Sequence, residues 1–222
     1  MSRSRPGFAF LSLFLRIRQI KSLHLVAYLC LFCCLCPPTV STAGDAAEPF
    51  ASWESFARRG EAKKLLAWMR CSLDEILMGK ACMEPPAFAP PPFYGRFGLF
   101  VTLVKGGKVR GCYGAFDHRS DKMEDLLRDY LQGALKRDGR YRPLDAYEAA
   151  DAGIVLTVAG RQLPVNDLEH IDTANYGIVV TFENNEKSVF VPAEIKNMEK
   201  LKEMLRGKEI YQLTVFRAIT IK

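Results

Sequence analysis

Gly98-Leu99-Phe100-Val101-Thr102-Leu103-Val104, Lys105-Gly106-Gly107-Lys108 and Val109-Arg110-Gly111-Cys112-Tyr113-Gly114-Ala115-Phe116 follow one another without interruption. Two runs rich in β-formers flank a Gly-Gly pair, the pattern of a β-hairpin closed by a tight turn. A glycine-rich stretch ending in Lys108 also invites a phosphate-loop reading. The P-loop spacing is absent, no Ser or Thr follows Lys108, and no helix pattern follows directly, so the turn is preferred.

Outward from the hairpin, strand patterns come in pairs. Residues 153–158 read as a strand, and 177–182 and 187–191 as a second hairpin around Glu183-Asn184-Asn185-Glu186. Residues 210–221 read as a last long strand. Helical periodicity marks 61–78 (Leu65, Leu66, Met69, Leu73, Ile76, Leu77) and 121–137 (Met123, Leu126, Leu127, Tyr130, Leu131, Ala134, Leu135), the latter with Ser120 as a cap. A third helix is expected at 193–206 after Pro192. Five prolines make 81–95 extended chain, and 44–60 reads as a linker or a fraying helix. Hairpins with interspersed helices predict an α+β fold: a largely antiparallel central sheet of about five strands, flanked by helices, with a smaller helical subdomain.

The chain has 222 residues, 49% hydrophobic and 25% charged, which excludes a disordered tail or a disulfide mini-protein. Its formal charge of +6 is concentrated at the start. Residues 1–43 carry Arg3, Arg5, Arg16, Arg18 and Lys21 and no acid, leaving 26 basic and 25 acidic residues in 44–222. A body of net charge +1 gives no electrostatic case for nucleic acid. In the first 43 residues, scattered positive charge precedes an apolar run at 25–36, then Pro37-Pro38 and Ser41-Thr42-Ala43. That order predicts a secretory signal peptide cleaved before Gly44, with an uncleaved membrane anchor as the alternative. Export to the periplasm or outside the cell is the expectation, and the membrane is met only through this segment. The domain reading is therefore 1–43 leader, 44–56 linker and 57–222 folded domain.

Seven cysteines divide at the same boundary. Cys30, Cys33, Cys34 and Cys36 lie in the apolar run and act there as small hydrophobes. Of the three in the body, Cys71 and Cys82 are close across a helix end while Cys112 sits inside a strand. If a pair forms under oxidising conditions, Cys71–Cys82 is expected.

Val109-Arg110-Gly111-Cys112-Tyr113-Gly114-Ala115 resembles the Leu-Arg-Gly-Cys-Ile-Gly-Thr motif of the AMMECR domain family, also called AmmeMemoRadiSam system protein A. Further pieces match in order over about residues 57–222. Asp138-Gly139-Arg140-Tyr141-Arg142-Pro143-Leu144 is similar to the family's Asp-Pro-Arg-Phe-Pro-Pro-Leu loop, Tyr176-Gly177-Ile178-Val179-Val180 to its His-Gly-Leu-Ile-Val strand, and Val191-Pro192 to its Leu-Pro. The resemblance implies a two-part α+β fold around a mostly antiparallel sheet. It also implies a pathway shared with Memo-like and radical SAM proteins, without a reaction or a cofactor.

Arg110-Gly111-Cys112-Tyr113-Gly114 is the stretch that invites chemistry. Glycines beside a thiol permit close approach of a ligand or of another backbone. Strand alternation puts Arg110 on the face of Cys112, where a cation favours thiolate. The other reading is a buried core thiol, since no histidine base belongs to the motif. Arg140, with Arg142 and Tyr141 in a Pro-stopped loop, suits a carboxylate or phosphate. His118-Arg119-Ser120-Asp121 reads as a helix N-terminus, and no metal-ligand spacing is visible. Three functions follow, the last of them a purely structural envelope protein. An accessory or binding domain for a small anionic ligand or partner protein comes first, with Arg110, Gly111, Tyr113, Gly114 and Arg140 as its contacts. A thiol-dependent enzyme using Cys112 with Arg110 is the alternative. Either requires that the Cys112 strand and the Arg140 loop share one concave surface. As an exposed loop residue, Arg140 replaced by Ala is expected to change stability by less than ~1 kcal/mol.

Overall fold

The computed structural model describes residues 47–82, 91 and 97–222. The leader and most of the Pro-rich stretch at 81–95 lie outside the described residues. Helices α1 (Ala47–Ala57) and α2 (Gly60–Met78) lead into the hairpin β1 (Gly98–Lys105) and β2 (Lys108–Ala115). Helices α3 (Met123–Lys136) and α4 (Ala146–Ala150) precede β3 (Gly153–Val165), β4 (Tyr176–Phe182) and β5 (Lys187–Phe190). Helix α5 (Met198–Leu205) and strand β6 (Ile210–Ile221) complete the chain. The strands form one six-stranded sheet in the order β2-β1-β3-β6-β4-β5, every neighbouring pair antiparallel. The expected α+β class and antiparallel sheet are thus observed, and all six stretches read as strands belong to that sheet, against the total of about five given for it.

Gly106 and Gly107 both have positive φ, 56° and 72°, the backbone that a two-residue hairpin turn needs and that glycine adopts without steric cost. Helices α1 to α4 cover one sheet face. The stripes of α2 (Ala62, Leu65, Trp68, Met69, Leu73) and α3 (Leu126, Leu127, Leu131, Leu135) are buried there against Leu99, Val101, Leu103, Leu156 and Val158. A second cluster gathers Ile178, Val180, Phe190, Leu201, Leu205 and Val215 around α5. The opposite face holds a smaller third cluster that includes Phe100, Cys112, Val179, Val191 and Phe216.

Three local expectations are corrected. The stretch read as a linker or a fraying helix is, from Ala47 to Ala57, the packed helix α1, because Trp53 and Phe56 are fully buried in the helical core and tie it down. Helix α3 starts at Met123, and Ser120 Oγ accepts the Lys122 N–H 3.2 Å away in a turn ahead of it. Helix α5 starts only at Met198, where Asn197 caps the N–H groups of Glu199 and Lys200. Residues 192–197 are turns because Glu194 points inward and accepts the Val191 N–H at 3.2 Å. Cys71 and Cys82 form a disulfide with a Cα–Cα distance of 5.4 Å, and Cys112 is a free, buried thiol. Among the described residues, no helix is long and apolar enough to cross a membrane.

Candidate functional site

The sheet curls until its edge strands, β2 and β5, line opposite sides of one cleft. Phe100, Cys112, Tyr113, Gly114, Arg140, Lys187, Ser188 and Val189 enclose about 320 Å³ there. Cys112 and Arg140 therefore meet at one concave surface. The excursion through α3 returns the chain to the strand it left, and the loop 138–141 then bridges the gap between the edges.

That bridge is an ion-pair network. The Arg140 guanidinium donates to both Asp138 carboxylate oxygens, Nε to Oδ1 at 2.9 Å and NH2 to Oδ2 at 3.0 Å. The same NH2 lies 3.0 Å from Glu194 Oε1, and NH1 donates to the Val189 carbonyl at 3.4 Å. Asp138 Oδ2 also accepts the Cys112 N–H at 2.8 Å. The Tyr141 hydroxyl donates to Glu194 at 3.5 Å. Both carboxylates are nearly buried, with side-chain exposures of 6% for Asp138 and 3% for Glu194, against 39% for Arg140. Burial alone would raise the Asp138 pKa, but the Arg140 and Cys112 N–H hydrogen bonds outweigh it and hold the carboxyl low. Burial wins at Glu194 and pushes that carboxyl up despite Arg140.

The Cys112 thiol accepts a hydrogen bond from Thr102 Oγ1 at 3.2 Å. Burial pushes its pKa well above that of a free thiol, and the negative charge of Glu194 pushes it further. Thr102 and Arg140 pull the other way without prevailing. The thiol is held protonated and is a poor nucleophile in this state.

Arg110 is a correction. The pairing jumps from Leu103↔Gly111 to Val104↔Val109, so Arg110 occupies a β-bulge and strand alternation breaks between it and Cys112. Its guanidinium reaches Glu148 of α4, at 2.8 and 3.5 Å, outside the cleft lining. Arg142 binds the same carboxylate at 2.8 Å. Arg110 is therefore not the cation beside the thiol. The glycines are explained by backbone approach. A Cβ on Gly111 would lie 1.9 Å from the Ala134 carbonyl oxygen of α3, and one on Gly114 would lie 2.0 Å from the Leu99 carbonyl oxygen of β1. Tyr113 lines the cleft, yet its ring packs on α3. A Cβ added to Gly133 would meet that ring at 2.2 Å, and Arg137 lies over it at 4.5 Å.

Lys187 stands on the β5 side of the cleft and forms no ion pair among the described residues. His118 is structural. Its Nε2 faces the Phe97 carbonyl at 2.7 Å, an acceptor, so Nε2 carries the proton and Nδ1 accepts from Tyr130 Oη at 2.7 Å. No cluster of metal-ligating side chains occurs among the described residues.

Sequence reading alone missed Thr102, Asp138, Glu194 and Lys187. Asp138 was within reach, as the first residue of the Arg140 loop motif. The others belong to separate strands and turns that only the curled sheet brings together.

The comparisons with known proteins agree with this fold. The AMMECR1 family profile matches residues 66–217. A Thermotoga maritima protein is 28% identical over 150 residues, covering 61% of this chain and 85% of the relative. A Methanothermobacter thermautotrophicus protein is 30% identical over 118 residues, covering 53% of this chain and 59% of the relative. The crystal structure of the uncharacterised protein PH0010 from Pyrococcus horikoshii superposes with a TM-score of 0.54 at 18% identity, over 74% of this chain and 92% of the other. With the motif strand, the Arg140 loop and all of the antiparallel sheet but the end of β6 in the matched span, this chain belongs to the AMMECR1 family.

Proposed function

We propose that this is a binding domain whose cleft takes a small anionic ligand, or the anionic part of a partner protein, in an oxidising compartment reached by export. One observation carries the binding reading: Lys187 lines the cleft as a cation without an ion partner among the described residues, across from a thiol that is kept protonated. The Cys71–Cys82 disulfide supports the compartment. The shared setting with Memo-like and radical SAM proteins belongs to the same proposal.

Titration of the isotope-labelled protein with acetate and with inorganic phosphate tests the reading. Saturable amide shifts are expected at Lys187, Ser188 and Val189, lost in Lys187→Ala. Uniform, non-saturating shifts like those given by chloride overturn it. A thiol enzyme using Cys112 with Arg110 is disfavoured because Arg110 is committed to Glu148. Iodoacetamide should modify Cys112 slowly at neutral pH; rapid labelling of the folded protein would restore the enzyme reading.

A further inference from the structure

The cleft is bounded by two sheet edges, unpaired among the described residues, as well as by side chains. Three consecutive residues of β2 (Cys112, Tyr113, Gly114) and three of β5 (Lys187, Ser188, Val189) line it, and these strands end the sheet on either side. Their backbone directions are fixed by their partners. The Cys112 N–H leaves β1 and points to Asp138. In an antiparallel ladder the N–H and C=O of one residue point to the same side, and residues two apart share that side. The Cys112 C=O and both polar backbone groups of Gly114 therefore face the opening. On the other edge, the Val189 C=O accepts from Arg140 and the Val191 N–H donates to Glu194. By the same alternation, the Val189 N–H and both polar backbone groups of Lys187 face the opening from β5.

The Asp138–Arg140 pair clamps the two edges at one place, binding Cys112 on β2 and Val189 on β5. Beyond the clamp the edges stay apart. Phe100 lies at the floor, in edge contact with Phe116 at 5.3 Å and stacked on Phe216 at 6.3 Å. This site has donors and acceptors at strand spacing along both walls, an apolar floor, and at the rim Lys187, a cation without an ion partner among the described residues.

We infer that the cleft is a strand-addition site for the carboxy-terminal end of an extended peptide. Gly114 and Val189 supply main-chain hydrogen bonds, Phe100 and Val189 contact an apolar terminal side chain, and Lys187 carries the counter-charge to the carboxylate. Strand addition combined with capture of a chain terminus is an established economy: the backbone gives affinity and the charge fixes register. About 320 Å³ is near the lower end of ordinary ligand pockets, which suits a few terminal residues rather than a long segment. This rests on the binding reading above and names its ligand class.

The test uses two pools of N-acetylated tetrapeptides randomised at the last three positions, one with free carboxylates and one amidated, with acetate and inorganic phosphate as controls. Amide shifts and hydrogen-exchange protection are read at Gly114 and Val189. The free-carboxylate pool should shift and protect both amides, the amidated pool should not, and Lys187→Ala should weaken the effect about five-fold, the scale of one exposed ion pair. Equal effects from the two pools overturn the assignment to a chain terminus. Saturable shifts at Lys187 with the small anions, and none at Gly114 with either pool, overturn the peptide while leaving the binding reading intact. No response to any probe overturns both.

Discussion

Replacing Arg140 with Ala is expected to destabilise the fold, contrary to what an arginine in an exposed loop suggests. Arg140 is the shared partner of Asp138 and Glu194, whose side chains are 6% and 3% exposed. Removing one partner from a buried ion pair costs ~3–5 kcal/mol, because the other charge stays buried. Three features reduce that figure here. The guanidinium is 39% exposed, so solvent already screens the pair. Asp138 keeps the N–H groups of Cys112 and Arg140, at 2.8 and 3.1 Å. Glu194 keeps the Val191 N–H, and its carboxyl already leans toward the neutral form. A loss of about 2–3 kcal/mol at pH 8 is the expected result, within the range seen for broken buried networks. The loss should shrink toward pH 5. Without Arg140 the folded-state pKa of Glu194 lies further above its unfolded value, so the folded variant binds protons more tightly than the unfolded chain. Its stability then falls as pH rises from the unfolded pKa through the folded one, and its deficit against wild type widens. Urea unfolding at both pH values, read as midpoints at constant slope, measures this. Arg140→Ala combined with Glu194→Gln should recover part of the loss by removing one stranded charge. A loss below ~1 kcal/mol that does not vary with pH would refute the network as described.

Gly111→Ala should cost at least ~1–3 kcal/mol in chemical denaturation, since its Cβ meets helix backbone at 1.9 Å, whereas Gly60→Ala, with nothing within 4 Å, should be neutral or stabilise by up to ~1 kcal/mol. Burial pushes the His118 pKa below its usual value against the raising effect of the Phe97 carbonyl. Its contribution to stability is therefore complete above the unfolded-state pKa near 6.5 and is lost as pH falls toward the folded-state value. The stability difference between wild type and His118→Gln should narrow over that acidic window, and a pH-independent difference in unfolding midpoint would contradict the assignment. Reducing the Cys71–Cys82 bond returns at most ~3 kcal/mol of loop entropy to the unfolded chain, so the reduced protein should keep its fold by circular dichroism and melt at a lower temperature.

Much of what near neighbours set was legible in the chain, the starts of α3 and α5 excepted. Alternation and the Gly-Gly pair specify the β1–β2 hairpin, because a tight turn with positive φ is a property of two adjacent residues. Apolar spacing specifies α2 and α3, and closeness in sequence specifies the Cys71–Cys82 pair. The motif residues Cys112 and Arg140 were also visible as site candidates. Tertiary structure decided what they do. The bulge at Arg110 reverses strand parity, and no composition rule reveals an extra residue in a register. Trp53 and Phe56 turn an apparent linker into core helix only because a helical layer receives them. Glu194 joins Cys112 and Arg140 from more than fifty residues beyond Arg140, through turns that delay α5 until Met198. The curl of the sheet sets its two edges on either side of one cleft, and curvature is the sum of twist and packing over all six strands rather than a feature of any one.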